Sequence, residues 1–283
     1  MCEYSVATEQ RSRHTPEKPT PLSEWPVSHR RGIRFVLCDI DDTLTKENRL
    51  EASAFDALWR LHKAGFVVIP VTGRPAGWCD AIIRQWPVDA VIGENGAFTY
   101  YLENGVRREI YHPESGDPTK TRETLERIAA RVFREVPGTR MAKDQPFRLY
   151  DYAVDFREEP PFLDFDDAER IRAICESEGA EAKVSSIHVN FWIGQYDKRS
   201  MVAYTLNQLW NVSIDDPEVR DTVLFCGDSP NDEPMFALLP NSCGVANVLE
   251  MLPFMSSPPT YVTEAPHGEG FAELVQELLV AHT

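Results

Sequence analysis

Three aspartates, Asp39, Asp41 and Asp42, close the stretch FVLCDIDDTLT. An apolar run precedes them, so they stand where a buried strand ends. Unpaired carboxylates are costly to bury, and three like charges this close together need a cation nearby. A divalent metal ion meets that need. Two other apolar runs end in the same way. FVVIPVTG brings Thr72 and Gly73, with Arg74 next, and TVLFCGDSPND brings Asp228, Ser229, Asn231 and Asp232. Lys198 stands just ahead of the helical run that leads into the latter. With a formal net charge of -16, the chain as a whole repels an anionic substrate, so a local cation must meet it, and Lys198 can supply one.

Other motif readings of these residues fail. DIDDTLTKENRL begins like an EF-hand loop, but Leu44 occupies the glycine position and Leu50 the final glutamate position, and a strand precedes it. GDSPN misses the nucleophile-elbow pattern because Asn231 replaces its last glycine. The chain has no phosphate-binding G-x-x-x-x-G-K-[ST] and no H-E-x-x-H, and GENGA is not a dinucleotide fingerprint.

The elements that must position these residues follow from hydropathy. RFVLCDI, FVVIPVTG, DAVIGENG and TVLFCGDS are continuously apolar, as strands of a parallel sheet covered on both faces are. Helical patterns separate them, among them AGWCDAIIRQW and SMVAYTLNQLW, and GFAELVQELLVAH closes the chain. This alternation predicts an α/β fold, a doubly wound, mostly parallel sheet. Ligands of such sheets bind outside the carboxyl ends of the strands, so topology alone brings the three stretches to one cleft. The middle of the chain reads differently. Asn104-Gly105 marks a hairpin, TRETLERIAARVFREV and DFDDAERIRAICESEG read as helices, and RLYDYAVDF and SIHVNFWIG alternate. Tyr150, Tyr152, Val154 and Phe156 are expected on one side of their strand. These features predict an inserted α+β unit over residues 98–193, between core segments 31–97 and 194–283. Residues 1–30, rich in proline and polar side chains, read as a disordered or loosely docked arm whose end Trp25 could anchor.

Composition narrows the classes of function. The negative charge argues against nucleic acid or an anionic membrane as a partner, and no apolar stretch approaches the length of a membrane span. The six cysteines include no C-x-x-C pair, and Cys38 and Cys226 lie within apolar runs. They read as reduced thiols of a cytoplasmic protein rather than disulfides or zinc ligands. His62, His112 and His267 stand alone and are assigned no role.

Taken in order, the motifs carry a resemblance. DIDDTLT is similar to the first motif of the haloacid dehalogenase-like hydrolase superfamily, D-x-D-x-T. VTGRP is similar to the second, Lys198 in YDKRS to the third, and GDSPND to the acidic fourth. ENGA and an insertion between the second and third motifs resemble the phosphatases with a type IIB cap, such as sucrose-phosphate, trehalose-phosphate and mannosyl-phosphoglycerate phosphatases. The resemblance covers nearly everything after the arm. It implies a phosphatase acting on a small phosphorylated metabolite, a sugar phosphate, with Mg2+ as cofactor. It further implies that Asp39 is the nucleophile, forming an aspartyl phosphate, and that Asp41 is the general acid and base. Thr72, Gly73 and Lys198 would hold phosphoryl oxygens. Asp39, the carbonyl of Asp41, and Asp228 would be the metal ligands, with Asn231 and Asp232 in support. Asp42 would have neither role. A phosphosugar mutase, or a catalytically silent metal- or ligand-binding relative, shares the same resemblance. The full set of Asp39, Asp41, Thr72, Lys198 and Asp228 argues against the silent relative.

Two readings concern the leaving group. Arg74 is either a substrate contact or a surface residue. In the last strand of the inserted unit, Ile187, Val189, Phe191 and Ile193 share one face, while His188, Asn190 and Trp192 share the other. The first face should pack on the unit's helices. The second should look towards the substrate or towards solvent.

Overall fold

The computed structural model describes residues 18–185 and 187–282. A six-stranded sheet runs through the molecule in the order Thr20–Pro21, Tyr261–Val262, Asn241–Gly244, Val223–Gly227, Phe35–Cys38, Val67–Pro70, and every pairing in it is parallel. The central strands are buried on both faces. Phe35 and Leu37 join one hydrophobic cluster with Met201, Leu206 and Met235, while Val36 and Cys38 join another with Leu58, Leu61 and Phe271. Helices Ala52–Ala64, Ala76–Gln85 and His267–Val280 cover the second cluster, and Lys198–Trp210 and Glu233–Leu238 cover the first. Continuous rather than alternating hydropathy is the consequence.

Ala90–Gly93 was expected to continue this sheet as a full parallel strand. It runs beside Val67–Pro70, but the ladder is reduced to a single bridge between Val71 and Ile92. The Val68 amide donates instead to the Asp89 carboxylate at 2.8 Å. Ala90–Gly93 pairs antiparallel with Phe98–Glu103, which turns at Asn104-Gly105 into Val106–Tyr111.

A second sheet, of order Glu181–Val184, His188–Trp192, Asp151–Asp155, Arg140–Met141, is antiparallel throughout. Helices Pro118–Glu135 and Phe165–Ser177 cover one face of it, and a separate cluster of Leu125, Ile128, Val132, Ile171, Tyr152, Val154, Phe156, Val189 and Phe191 fills the space between. The opposite face presents Asp151, Ala153 and Asp155 in register with Trp192, Asn190 and His188. Tyr150 departs from the expected alternation. It lies one residue before its strand begins and packs into the cluster of the central sheet.

The N-terminal reading also needs correction. Residues 1–17 lie outside the described residues, but from Thr20 onward the segment is packed rather than loose. Thr20–Pro21 adds a strand to the sheet edge, Trp25 is 1% exposed with its indole N–H donating to Asn241 Oδ1, and Arg30 pairs with Glu277 at 2.5 Å. No helix among the described residues is long and apolar enough to cross a membrane.

Candidate active site

Asp39 follows the Phe35–Cys38 strand, and its amide continues the ladder to the carbonyl of Cys226. Its carboxylate is buried and receives Lys198 Nζ at 2.9 Å and the Ile40 amide at 2.8 Å. Burial pushes the Asp39 carboxyl up to about 7, aided by Asp232 and Asp41 and opposed by Lys198. Lys198 opens the helix Lys198–Trp210, whose N-terminus is capped by Asp197 accepting from the Ser200 amide at 2.7 Å. The turn at Gly96 abuts this cap. Gly96 has φ +114, and a Cβ there would lie 2.2 Å from the Asp197 carbonyl oxygen, so only glycine lets the two segments meet.

Lys198 also donates to Asp232 at 2.8 Å. Burial works against its charge, yet Asp232 and Asp39 hold its ammonium above the usual lysine range. The other oxygen of Asp232 accepts the amides of Asp228 and Ser229, which ties the acidic loop together. Asn231 accepts the Ser229 hydroxyl at 2.8 Å and so braces this loop. Asp228 is buried, and Thr43 donates to it at 2.7 Å. Burial, then Asp232 and Asp39, drive the Asp228 carboxyl well above the ordinary carboxylate range.

These residues fit a cation. One oxygen each from Asp39, Asp228 and Asp232 lie within 4.8 Å of one another. Against three buried carboxylates stands one ammonium, so a divalent ion would balance a charge that burial otherwise penalises. Asp39 and Asp228 are the two side chains expected as ligands, and Asp232 stands beside them with both its oxygens already engaged by Lys198 and the loop amides. The Asp41 side chain turns away to Arg74, which does not bear on its backbone carbonyl, the group expected as a ligand.

Arg74 is not a surface residue. It is 6% exposed and grips both oxygens of Asp41 through Nε at 2.9 and 2.8 Å, with Nη2 adding 2.5 Å to one of them. Its guanidinium lies 4.4 Å from the ring centroid of Trp78 and 3.3 Å from Asn48 Oδ1. Thr72 is fully buried. Its hydroxyl oxygen accepts the Arg74 amide at 3.0 Å, leaving the hydroxyl proton as a donor. The Gly73 carbonyl accepts Arg148 Nη1 at 2.9 Å.

The polar face of the cap strand is neither solvated nor free. His188 is 4% exposed and its Nε2 lies 2.9 Å from Glu158 Oε2, while Asn190 is 6% exposed and donates to Asp151 Oδ2 at 2.9 Å. Asp151 in turn receives Arg148, which also grips Asp144. Asn190 therefore belongs to a buried network under the cleft. His188 and Glu158 form a separate pair, and Glu158 feels the charges of both Arg74 and Asp144.

The motifs assigned no role to Glu94, Arg148 or Glu158. Glu94 is fully buried and accepts the amides of Ala76, Leu149, Tyr150 and Asp151. It thereby ties the end of the Ala90–Gly93 strand to the entry of the second sheet. Burial and Asp151 push its carboxyl up to about 7, while Arg148 and the amides favour its charged form. The signal that existed was the ENG triplet, where an acid closes an apolar run.

Residues 36–127 match a family model described as haloacid dehalogenase-like hydrolase. The chain is 24% identical over 250 residues to a phosphoglycolate phosphatase of Methanospirillum hungatei, covering 86% of this chain and 96% of the relative. It is 26% identical over 251 residues to another phosphoglycolate phosphatase, from Methanothermobacter thermautotrophicus, covering 87% and 99%. Its fold matches a solved sugar phosphatase of haloacid dehalogenase subclass IIB with a TM-score of 0.62 at 14% identity, over 87% of this chain and 99% of that one.

Proposed function

We propose that the chain is a haloacid dehalogenase-like hydrolase, a cytoplasmic, Mg2+-dependent phosphatase that hydrolyses a small phosphorylated metabolite, a sugar phosphate. The observation that carries this reading is the buried contact of Lys198 with Asp39, at 2.9 Å, beside Asp228. Phosphate monoesters resist attack because their own oxygens repel nucleophiles. A carboxylate nucleophile flanked by fixed cations divides that barrier in two.

Asp39 bonds to phosphorus as the bond to the leaving oxygen breaks. Asp41 gives that oxygen a proton, then takes one from the water that attacks the aspartyl phosphate. Inorganic phosphate departs and Asp39 is restored. Arg74 orients Asp41 through both carboxylate oxygens, and proton transfer requires Asp41 to release at least one of those hydrogen bonds. Lys198, the Thr72 hydroxyl and the Gly73 amide hold the equatorial oxygens as charge shifts towards them. Asp232 keeps Lys198 charged and placed, and Asn231 braces its loop. Asp39, Asp228 and the Asp41 carbonyl would be the oxygen donors for Mg2+, which would neutralise the repulsion between Asp39 and the phosphoryl group.

The test is release of free phosphate across a panel of phosphorylated metabolites with Mg2+, for the wild type and for Asp39→Asn. The variant keeps the shape of the site and removes the nucleophile, so turnover should fall by about a thousandfold or more. Residual activity within about tenfold of wild type would rule out the aspartyl phosphate.

A further inference from the structure

Four basic side chains are buried around the cleft: Lys198, Arg74, Arg148 and His188. Each is already matched by acid. Lys198 pairs with Asp39 and Asp232, Arg74 with Asp41, Arg148 with Asp144 and Asp151, and His188 with Glu158. At two of these pairs the acid keeps much more access to solvent than its partner. Side-chain exposure is 33% for Asp41 against 7% for Arg74, and 30% for Glu158 against 6% for His188. A leaving group attached to the phosphoryl oxygen therefore meets the carboxylates of Asp41 and Glu158 ahead of Arg74 and His188.

Resting on the phosphatase reading above, we propose that the cap wall selects by charge. It takes leaving groups that are neutral or bear an amine, it disfavours those bearing a carboxylate, and Glu158 is the residue that sets this preference. A carboxylate on the substrate would need an unmatched cation, and a second anion beside Asp41 and Glu158 is repelled at short range. Hydroxyls and amines can donate to the same oxygens. Glu158 stays ionised there, because its hydrogen bond with His188 holds its carboxyl below the usual glutamate range. The preference runs against phosphoglycolate, the substrate in the names of both sequence relatives.

Three substrates of matched size separate the charges: 2-phosphoglycolate, 2-hydroxyethyl phosphate and phosphoethanolamine. They are assayed beside p-nitrophenyl phosphate as kcat/KM, or as competitive Ki against it where turnover is slow. Phosphoglycolate should be the poorest of the three by about tenfold or more. Glu158→Gln keeps a hydrogen-bonding partner for His188 but loses the charge, and it should raise the ratio of phosphoglycolate to hydroxyethyl phosphate by about tenfold. A purely structural role for Glu158 would lower all substrates together and leave that ratio unchanged, which overturns the proposal. So would a wild-type preference for phosphoglycolate, which would point to Lys46 or Arg49, the exposed cations of the hairpin flanking Asn48. If the wild type also failed to hydrolyse p-nitrophenyl phosphate, the phosphatase reading itself would fall and the proposal with it.

Discussion

Lys198 lies between two carboxylates, 2.9 Å from Asp39 and 2.8 Å from Asp232, so its charge and place are fixed before any substrate arrives. Asp228, by contrast, has Thr43 as its side-chain donor and three acidic neighbours, Asp232, Asp39 and Asp42, which makes it the carboxylate with most to gain from a metal ion. Asp228→Asn should raise the Mg2+ concentration for half-maximal activity by about tenfold or more. The readout is phosphate release titrated with Mg2+ at saturating substrate, and an unshifted requirement would remove Asp228 from the metal set. Asn190 is expected to matter for stability instead. Asn190→Ala takes a donor from buried Asp151 and should cost about 1–3 kcal/mol in urea unfolding. A selective loss on a hexose phosphate, with p-nitrophenyl phosphate spared, would return Asn190 to the substrate. The sequence makes Asp39, Thr72 and Asp228 visible because each closes a run of apolar residues. Arg148 and Glu158 were not visible. Their partners include Gly73, 75 positions away, and His188, 30 positions away, and no local periodicity records such contacts.

The Glu94 turn fastens two units through main-chain groups rather than side chains. One carboxylate accepts three consecutive amides, Leu149 to Asp151, and the Ala76 amide as well. In return, Arg148 donates to the Gly73 carbonyl next to Thr72. Glu94→Ala would leave several buried amides without acceptors and should cost about 2 kcal/mol or more, read from the urea midpoint. A loss below about 0.5 kcal/mol would mean that water replaces the carboxylate. The same contacts bear on where the inserted unit begins. Its alternating strands and two helices were readable from their periods, whereas the hairpin at Asn104-Gly105 was grouped with them because a turn signal does not say which sheet receives it. Its first strand pairs with Ala90–Gly93, and we propose that the inserted unit starts after Tyr111 rather than at 98.

Across the whole molecule, the buried carboxylates give stability a pH dependence whose sign follows from linkage. Burial raises the Asp39 carboxyl from 3.8 to about 7 and moves Asp228 in the same direction. Between the unfolded and folded values the native state then holds more protons than the unfolded one, so stability falls as pH rises through that window. A divalent ion offsets the exposed cost of the charged forms. Mg2+ should therefore raise Tm by several degrees more at pH 8 than at pH 5, by about 3 °C or more. Thermal unfolding with Mg2+ and with chelator at both pH values checks this, and an equal gain at the two would count against it. The sheet edge carries a different consequence, for self-association. An uncovered parallel edge is an open template for another chain. Among the described residues the outermost strand on this side is the two-residue Thr20–Pro21, clamped by Trp25 and Asn241, and one of its two residues has no amide hydrogen to offer. A second copy approaching this side finds a rung it cannot extend, so shortening the chain past Trp25 would uncover Tyr261–Val262 and turn a blunt end into a sticky one.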